Sequence, residues 1–199
     1  MTLHRREVVQ RLLAKRGDTL VVAGLGAAAW DVAAAGDDDR NFYLWGGMGG
    51  AAMIGLGLAL AQPSRRVLVI TGDGEMLMGL GSLATIALQR PRNLAIVVLD
   101  NARYGETGMQ PSHTAGPTKL VEVAAGCGFE AVYDVVDEAG VDRLAAGLLD
   151  KTDVVFARVA IAAEELPRVL PERDGEKLKQ RFRAGNHGRR RPPPRGSGP

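Results

Sequence analysis

Much that would mark a particular class of protein is missing from this sequence. There is one cysteine, Cys127, in 199 residues. That excludes an intrachain disulfide and fits a reducing, cytoplasmic compartment. The longest apolar stretch, Gly46 to Ala61, is glycine-rich and too short for a membrane span. No apolar segment follows Met1-Thr2-Leu3-His4-Arg5-Arg6-Glu7, so no secretory leader is expected. Net charge is nearly absent, at +2, and unevenly spread: from Arg181 onward there are six Arg and no acid, so the preceding 180 residues carry −4. A body of that charge is not a nucleic-acid binder. No internal repeat is present.

What is present reads as one α/β domain with appendages, long enough to bury a core. The centre is Thr71-Gly72-Asp73-Gly74-Glu75. An apolar run, Val67 to Ile70, precedes it. Helical apolar spacing over Met76, Leu77, Leu80, Leu83, Ile86 and Ala87 follows, then a second buried run, Leu94 to Leu99, ending in Asp100-Asn101. A strand–helix–strand crossover of this kind is right-handed in nearly all cases and makes the two strands parallel. Asp73 and Asn101 therefore lie just past strand carboxyl ends on one edge, where open α/β sheets bind ligands.

Gly72 and Gly74 suit a tight turn and a close approach to ligand, and a helix starting near Glu75 favours an anion such as phosphate. Asp73 would repel a bare phosphate. A hard cation resolves the conflict: Mg²⁺ takes oxygen ligands and is usually held by one or two side chains plus phosphate oxygens. The Asp73 carboxylate, the Asn101 amide oxygen and a backbone carbonyl just beyond would serve.

Along the chain, residues 4 to 16 read as an amphipathic helix with Val8, Val9, Leu12 and Leu13 on one side and Arg5, Arg6, Arg11 and Lys15 on the other. Thr19 to Ala23 is a buried strand running into Gly24-Leu25-Gly26, either a ligand loop or an ordinary strand–helix turn. Asn41 to Trp45 reads as a strand, and Gly49 to Ala61 as a buried small-residue helix. Ala102 to Pro117 shows no periodicity and reads as a functional loop. Lys119 to Ala125, Phe129 to Val136, Asp137 to Leu149 and Asp153 to Ile161 read as helix, strand, helix and strand. The last residues, with Arg189-Arg190-Arg191-Pro192-Pro193-Pro194, are expected to be disordered, as a solubilising or nucleic-acid-binding tail.

Gly72-Asp73-Gly74 followed at this distance by Asp100-Asn101 resembles the GDG…NN signature of thiamine diphosphate enzymes, with Asp in the first Asn place. Arg40 to Gly49 resembles the segment preceding GDG in the decarboxylase branch. Leu56 to Pro63 and Tyr104-Gly105-Glu106-Thr107-Gly108-Met109-Gln110 are similar to phosphonopyruvate and sulfopyruvate decarboxylases. The resemblance covers roughly residues 19 to 160. It implies a three-layer α/β sandwich with a mostly parallel sheet, the diphosphate-binding (PP) domain, over 19–165. An N-terminal helix, 1–18, would pack on it, followed by a peripheral helix over 166–184 and the basic, Pro-rich tail over 185–199.

The resemblance implies thiamine diphosphate and Mg²⁺ as cofactors, with Asp73, Asn101 and the carbonyl of Arg103 as metal ligands. Gly24 and Gly26 match a small-residue loop on the diphosphate. Gly46 would accept from the pyrimidine amino group beside Gly47. Met48 is either simple core or the wedge that forces the cofactor into a V. Tyr104, Gly105, Glu106 and Thr107 lie where the family's loop reaches the diphosphate; Thr107 could donate to phosphate, and Glu106 is ambiguous. Gly72, Gly74 and Glu75 complete the cofactor set. His113 is either a surface histidine or a proton donor or acid-group partner for a small 2-oxoacid. The family's glutamate at pyrimidine N1′ comes from a PYR domain, and this chain has room for one such α/β domain only. The expectation is therefore the PP subunit of a two-chain 2-oxoacid decarboxylase, active with a PYR-type partner. A carboligase related to acetolactate synthase or a non-catalytic cofactor-binding module are the alternatives.

Overall fold

A computed structural model describes residues 2–148 and 153–187. In chain order the elements are α1 (Arg5–Leu13), β1 (Leu20–Ala23), α2 (Ala27–Ala34), β2 (Asn41–Tyr43), α3 (Ala51–Ala61), β3 (Val67–Gly72), α4 (Asp73–Met78), α5 (Ser82–Gln89), β4 (Leu94–Asp100), β5 (Arg103–Tyr104) and β6 (Gln110–Pro111). They continue with a 3₁₀ turn (His113–Ala115), α6 (Leu120–Cys127), β7 (Ala131–Val135), α7 (Glu138–Gly147), β8 (Val155–Ala160) and α8 (Gly175–His187).

Six strands form one sheet in the order β2-β1-β3-β4-β8-β7, and every pairing is parallel. Parallel strands covered on both faces carry near-continuous apolar runs, as β1, β3 and β4 do up to Thr71-Gly72 and Asp100 at the carboxyl ends of the last two. Their side chains alternate between two cores. Val21, Ala23, Leu68, Ile70, Ala95, Val97 and Leu99 meet α1, α2 and α7 on one face. Leu20, Val22, Val67, Val69, Leu94, Ile96 and Val98 meet α3, α5 and α6 on the other. The three-layer sandwich follows from that alternation. The strand order reverses direction between β1 and β3, and the loops after those strands, at Gly24 and Gly72, open a crevice at the carboxyl edge.

Several elements differ from the sequence reading. The helix expected from Glu75 through Ala87 is two helices, broken at Gly79–Gly81. A Cβ on Gly79 would stand 2.2 Å from the Gly49 carbonyl oxygen, so the break lets the Met48 loop meet the end of α4 backbone to backbone. The segment 102–117, read as structureless, holds the β5–β6 hairpin and the 3₁₀ turn. The peripheral helix over 166–184 is α8, which starts at Gly175. The preceding chain is an extended strap: Glu164 bonds His4 and the Arg5 N–H, Arg6 donates to the Pro167 carbonyl, and the Trp45 indole donates to the Glu172 carbonyl. α8 then packs along the β2 edge through a Phe42–Phe182 ring contact. Gly185 to His187, expected to begin the tail, belong to α8 instead; the rest of the expected tail, beyond 187, lies outside the described residues.

Arg5, placed by periodicity on the polar side of α1, is buried instead. Its guanidinium donates to Asp31 at 2.6 Å, and Arg6 reaches the same carboxylate at 3.3 Å. Asp31 is fully enclosed beneath α1, and among the described residues these two cations alone pair with it. Removing one partner of such a pair strands the other charge in a poorly polarisable interior. Asp31→Ala is therefore expected to lower unfolding free energy by about 3–5 kcal/mol, measured by urea denaturation; a loss of a few tenths would show that the pair is solvated.

Candidate active site

The crevice is built from four strand ends. In register, Gly72 at the end of β3 lies beside Leu99 of β4, so Asp73 and the Asp100-Asn101 pair face each other across neighbouring strands. Asp73 starts α4 and is buried. Its Oδ2 accepts from the Ser112 hydroxyl and lies 3.2 Å from that of Thr114. Neither hydroxyl carries charge, and among the described residues Asp73 makes no ion pair. Burial holds its carboxyl above the usual carboxylate range. The Ser112 hydrogen bond works against that rise, and neighbouring Asp100 adds to it.

Asp100 is treated differently. Its Oδ2 pairs with Arg158 at 2.7 Å, and its Oδ1 accepts from the Ala102 N–H at 2.9 Å and the Thr114 hydroxyl at 2.7 Å. Arg158 also reaches Asp134 at 3.0 Å. One of the two carboxylates is thus satisfied by the chain itself, and the other is not. Asn101 turns its amide oxygen back to the Arg103 N–H at 2.9 Å, which holds the side chain at the strand end and leaves that oxygen a second lone pair. The turn forces Ala102 to φ +57, a left-handed conformation that costs about 1–2 kcal/mol in a residue with a Cβ. No cluster of three or more His, Cys, Asp or Glu side chains suited to a metal occurs among the described residues. A single carboxylate with an amide oxygen and the Arg103 carbonyl remains an oxygen set of the kind Mg²⁺ takes when phosphate completes its shell.

The glycines act by close approach more than by special dihedrals. Gly72 and Gly74, expected to make a tight turn, have ordinary negative φ. A Cβ on Gly74 would meet the Tyr104 ring at 2.7 Å, so its bareness seats Tyr104 on the first turn of α4. That helix is six residues long, and side-chain charge rather than a helix dipole dominates at its start. Glu75, expected to open the helix behind the site, ties two loops together. Its Oε2 accepts from the Leu25 N–H and the Thr71 hydroxyl, each at 2.8 Å, while Oε1 has no partner. A Cβ on Gly24 would collide with that carboxylate at 2.0 Å. Gly26, at φ +77, carries the Glu106 side chain against it, with a virtual Cβ 3.1 Å away. The hairpin thus reaches across the first glycine loop.

Beside this polar end lies an open cleft of about 440 Å³, lined by Met48, Gly74, Leu77, Met78, Leu80, Tyr104, His113 and Thr118. Gly46 and Gly47 stand in open space at its approach. His113 is exposed, on the 3₁₀ turn, with Nδ1 3.1 Å from the Tyr104 hydroxyl. Thr107 does not point a free donor at the crevice; its hydroxyl donates to Gln110 at 3.0 Å, and it sits with Gly105 in the turn of the hairpin. A second pocket, about 320 Å³ between α1 and α7, holds none of these residues.

Asp73, Asn101, Arg103, Gly24, Gly26, Gly74, Tyr104 and Glu106 are therefore brought to one edge, and Met48 and His113 to the adjoining cleft. Sequence reading missed Ser112, Thr114 and Arg158. The last had a faint signal, a lone charge at the carboxyl end of an otherwise apolar strand. Because Asp73 is a carboxyl buried without a counter-charge among the described residues, Asp73→Asn is expected to raise the melting temperature of the metal-free protein at pH 7. The sign follows from the raised acidity constant: the folded state favours the uncharged carboxyl, so Asp73 costs stability as pH rises past the ordinary carboxylate value, and Asn removes that cost. A lower melting temperature for the variant, by calorimetry in chelator, would contradict this reading.

Residues 29–159 match the family model "Thiamine pyrophosphate enzyme, C-terminal TPP binding domain". The chain is 41% identical over 129 residues to sulfopyruvate decarboxylase subunit beta of Methanocaldococcus jannaschii, covering 64% of this chain and 68% of that one. It is 38% identical over 182 residues to the subunit of the same name from Methanothermobacter thermautotrophicus, covering 92% and 95%. It is 37% identical to phosphonopyruvate decarboxylase of Streptomyces viridochromogenes, over 90% of this chain and 45% of that longer one. A solved structure described as a thiamin diphosphate-dependent enzyme from Mycobacterium smegmatis superposes with a TM-score of 0.69 at 20% identity, over 82% of this chain and 32% of its own length. That last likeness shows the fold alone.

Proposed function

This chain belongs to the thiamine pyrophosphate enzymes through their C-terminal TPP binding domain, and from that premise we propose that it is the cofactor-binding subunit of a two-chain 2-oxoacid decarboxylase. The substrate class is a 3-carbon 2-oxoacid with a second acid group, of the sulfopyruvate or phosphonopyruvate kind named for its relatives. The observation that carries the reading is Asp73, a buried carboxylate with no cation of its own, set against Asn101 at the end of the next strand.

In this reading Mg²⁺ supplies the missing charge. Asp73, the Asn101 amide oxygen and the Arg103 carbonyl hold it, and the diphosphate completes its shell. The cofactor, when bound, supplies the electron sink into which carbon dioxide is lost. The chain's own residues bind, orient and exclude water. Glu75 holds the Gly24–Gly26 loop against β3, so the backbone that faces the diphosphate is fixed before binding. Met48 lines the cleft near Gly74, where an apolar wedge would keep the cofactor bent. The unit that does this is residues 19–165, with α1, the strap and α8 packed on it.

The open side of the cleft favours a partner of the PYR type. One wall of the cleft is missing: Met48 is 38% and Met78 67% exposed, and both are large apolar side chains at its rim. Among the described residues no carboxylate lines the cleft, so the acid needed at pyrimidine N1′ would come from the partner. No helix among the described residues is long and apolar enough to cross a membrane.

The test is to purify the chain alone, supply Mg²⁺, thiamine diphosphate and a panel of 2-oxoacids, and measure carbon dioxide release before and after adding the partner. Activity is expected with the partner and about 10²–10⁴-fold less without it, the usual effect of a lost proton-transfer group. Asp73→Ala is expected to abolish Mg-dependent cofactor binding in a folded assembly. Full turnover by the lone chain, or unchanged cofactor affinity in the variant, overturns the proposal.

A further inference from the structure

The hydroxyls that surround Asp73 come from a single turn, and their arrangement goes beyond filling space. Ser112 is buried and donates to Asp73 Oδ2. Thr114, two residues on, lies 2.9 Å from the Ser112 hydroxyl and gives its one proton over the shorter distance, 2.7 Å, to Asp100 Oδ1. The two hydroxyls thus sort the two carboxylates. Asp100 receives Thr114, the Ala102 N–H and the Arg158 guanidinium, which together occupy both its oxygens. Asp73 has Oδ2 engaged, while Oδ1 takes no side-chain hydrogen bond among the described residues.

We propose that Ser112 is a positioning residue for the cation: its hydroxyl pins Asp73 Oδ2 and so presents Oδ1 as the single ligand oxygen, while Thr114 and Arg158 keep Asp100 out of the metal's shell. This rests on the Mg²⁺ reading above. The physical reason is orientation. A carboxylate at the head of a helix can rotate about its Cβ–Cγ bond and offer either oxygen or both. A donor on one oxygen fixes the plane and leaves the other oxygen free. Mg²⁺ demands near-ideal octahedral geometry and tolerates a loose ligand poorly. Partners of ligating side chains are typically worth 10–100-fold in metal affinity.

The same turn carries His113 between the two hydroxyls, and His113 faces the cleft with Tyr104. Ser112 and Thr114 therefore anchor on the acid side the same three residues that present a histidine on the substrate side. The β5–β6 hairpin is closed over this turn by the Ser112 N–H to the Ala102 carbonyl, 3.0 Å.

The experiment is a calorimetric titration of Mg²⁺ into the assembled two-chain protein at saturating thiamine diphosphate, for wild type, Ser112→Ala and Ser112→Thr. The expected result is a 10–100-fold weaker Mg²⁺ affinity for Ser112→Ala, measured where the variant is fully folded, and recovery to within a few-fold in Ser112→Thr, which restores the hydroxyl. Should Ser112→Ala fail to fold, Ser112→Cys keeps the volume, loses most of the donor strength and carries the same expectation. Equal affinity for Ser112→Ala and wild type overturns this inference while leaving the metal assignment standing. Equal weakening in Ser112→Ala and Ser112→Thr also overturns it, because the hydroxyl would then not be the cause. Absence of Mg²⁺ binding by wild type overturns the metal assignment, and this inference with it.

Discussion

Asp73 is taken out of water at the carboxyl edge of a parallel sheet, where the described residues give it hydroxyls but no positive charge. Everything around it is arranged on that condition. Burying a charge without a partner is costly, and interiors normally avoid it by pairing. Asp31 is paired by Arg5 and Arg6, and Asp100 by Arg158, whereas Glu75, also buried, accepts from the Leu25 N–H and the Thr71 hydroxyl and, like Asp73, makes no ion pair among the described residues. Asp73 stands at the topological switch point, with an amide oxygen and a backbone carbonyl beside it. A site of this kind is stable only as well as the sheet holds it, and strain is tolerated there because the surroundings fix it. Ala102 in a left-handed conformation is the local instance.

Two devices convert the sheet edge into a binding surface. The first is bareness at Gly24, Gly74 and Gly79, where a Cβ would strike Glu75, Tyr104 or the Gly49 backbone. Each lets one loop lie directly on another, so loops after β1, β2, β3 and β4 close into one wall. The second is the carboxylate of Glu75, which stitches Leu25 to Thr71 across the switch point. The outcome is a polar end around Asp73 and Asn101, next to an apolar cleft with one side open. The open side, rimmed by Met48 and Met78, is what a second subunit would cover.

The strands and the pairing of Asp73 with Asn101 were legible in the sequence because buried parallel strands write themselves as continuous apolar runs, and a strand end follows directly from where the run stops. The helical turn at Asp73 and the break at Gly79 were not. Apolar spacing runs unbroken from Met76 to Ala87, and the break is set by a backbone contact with Gly49, thirty residues earlier in the chain. Arg5 was misplaced for a related reason: helical periodicity sorts polar from apolar positions but does not see a buried acid on another helix. Ser112 and Thr114 were invisible as site residues, since the segment has no periodicity and takes its order from acids far away in sequence. The expectation of a functional loop rested on composition alone, and the hairpin and turn geometry was not readable from it.

The central claim is that one cation bridges Asp73 and Asn101 to a diphosphate. It is tested most directly by growing crystals of the assembled protein with thiamine diphosphate and Mn²⁺ in place of Mg²⁺, and locating the metal by its anomalous scattering. The account predicts one peak per chain, bound by Asp73 Oδ1, the Asn101 amide oxygen, the Arg103 carbonyl and diphosphate oxygens, with Asp100 still paired to Arg158. A metal held by Asp100, or a cofactor bound with no metal at Asp73, would contradict it.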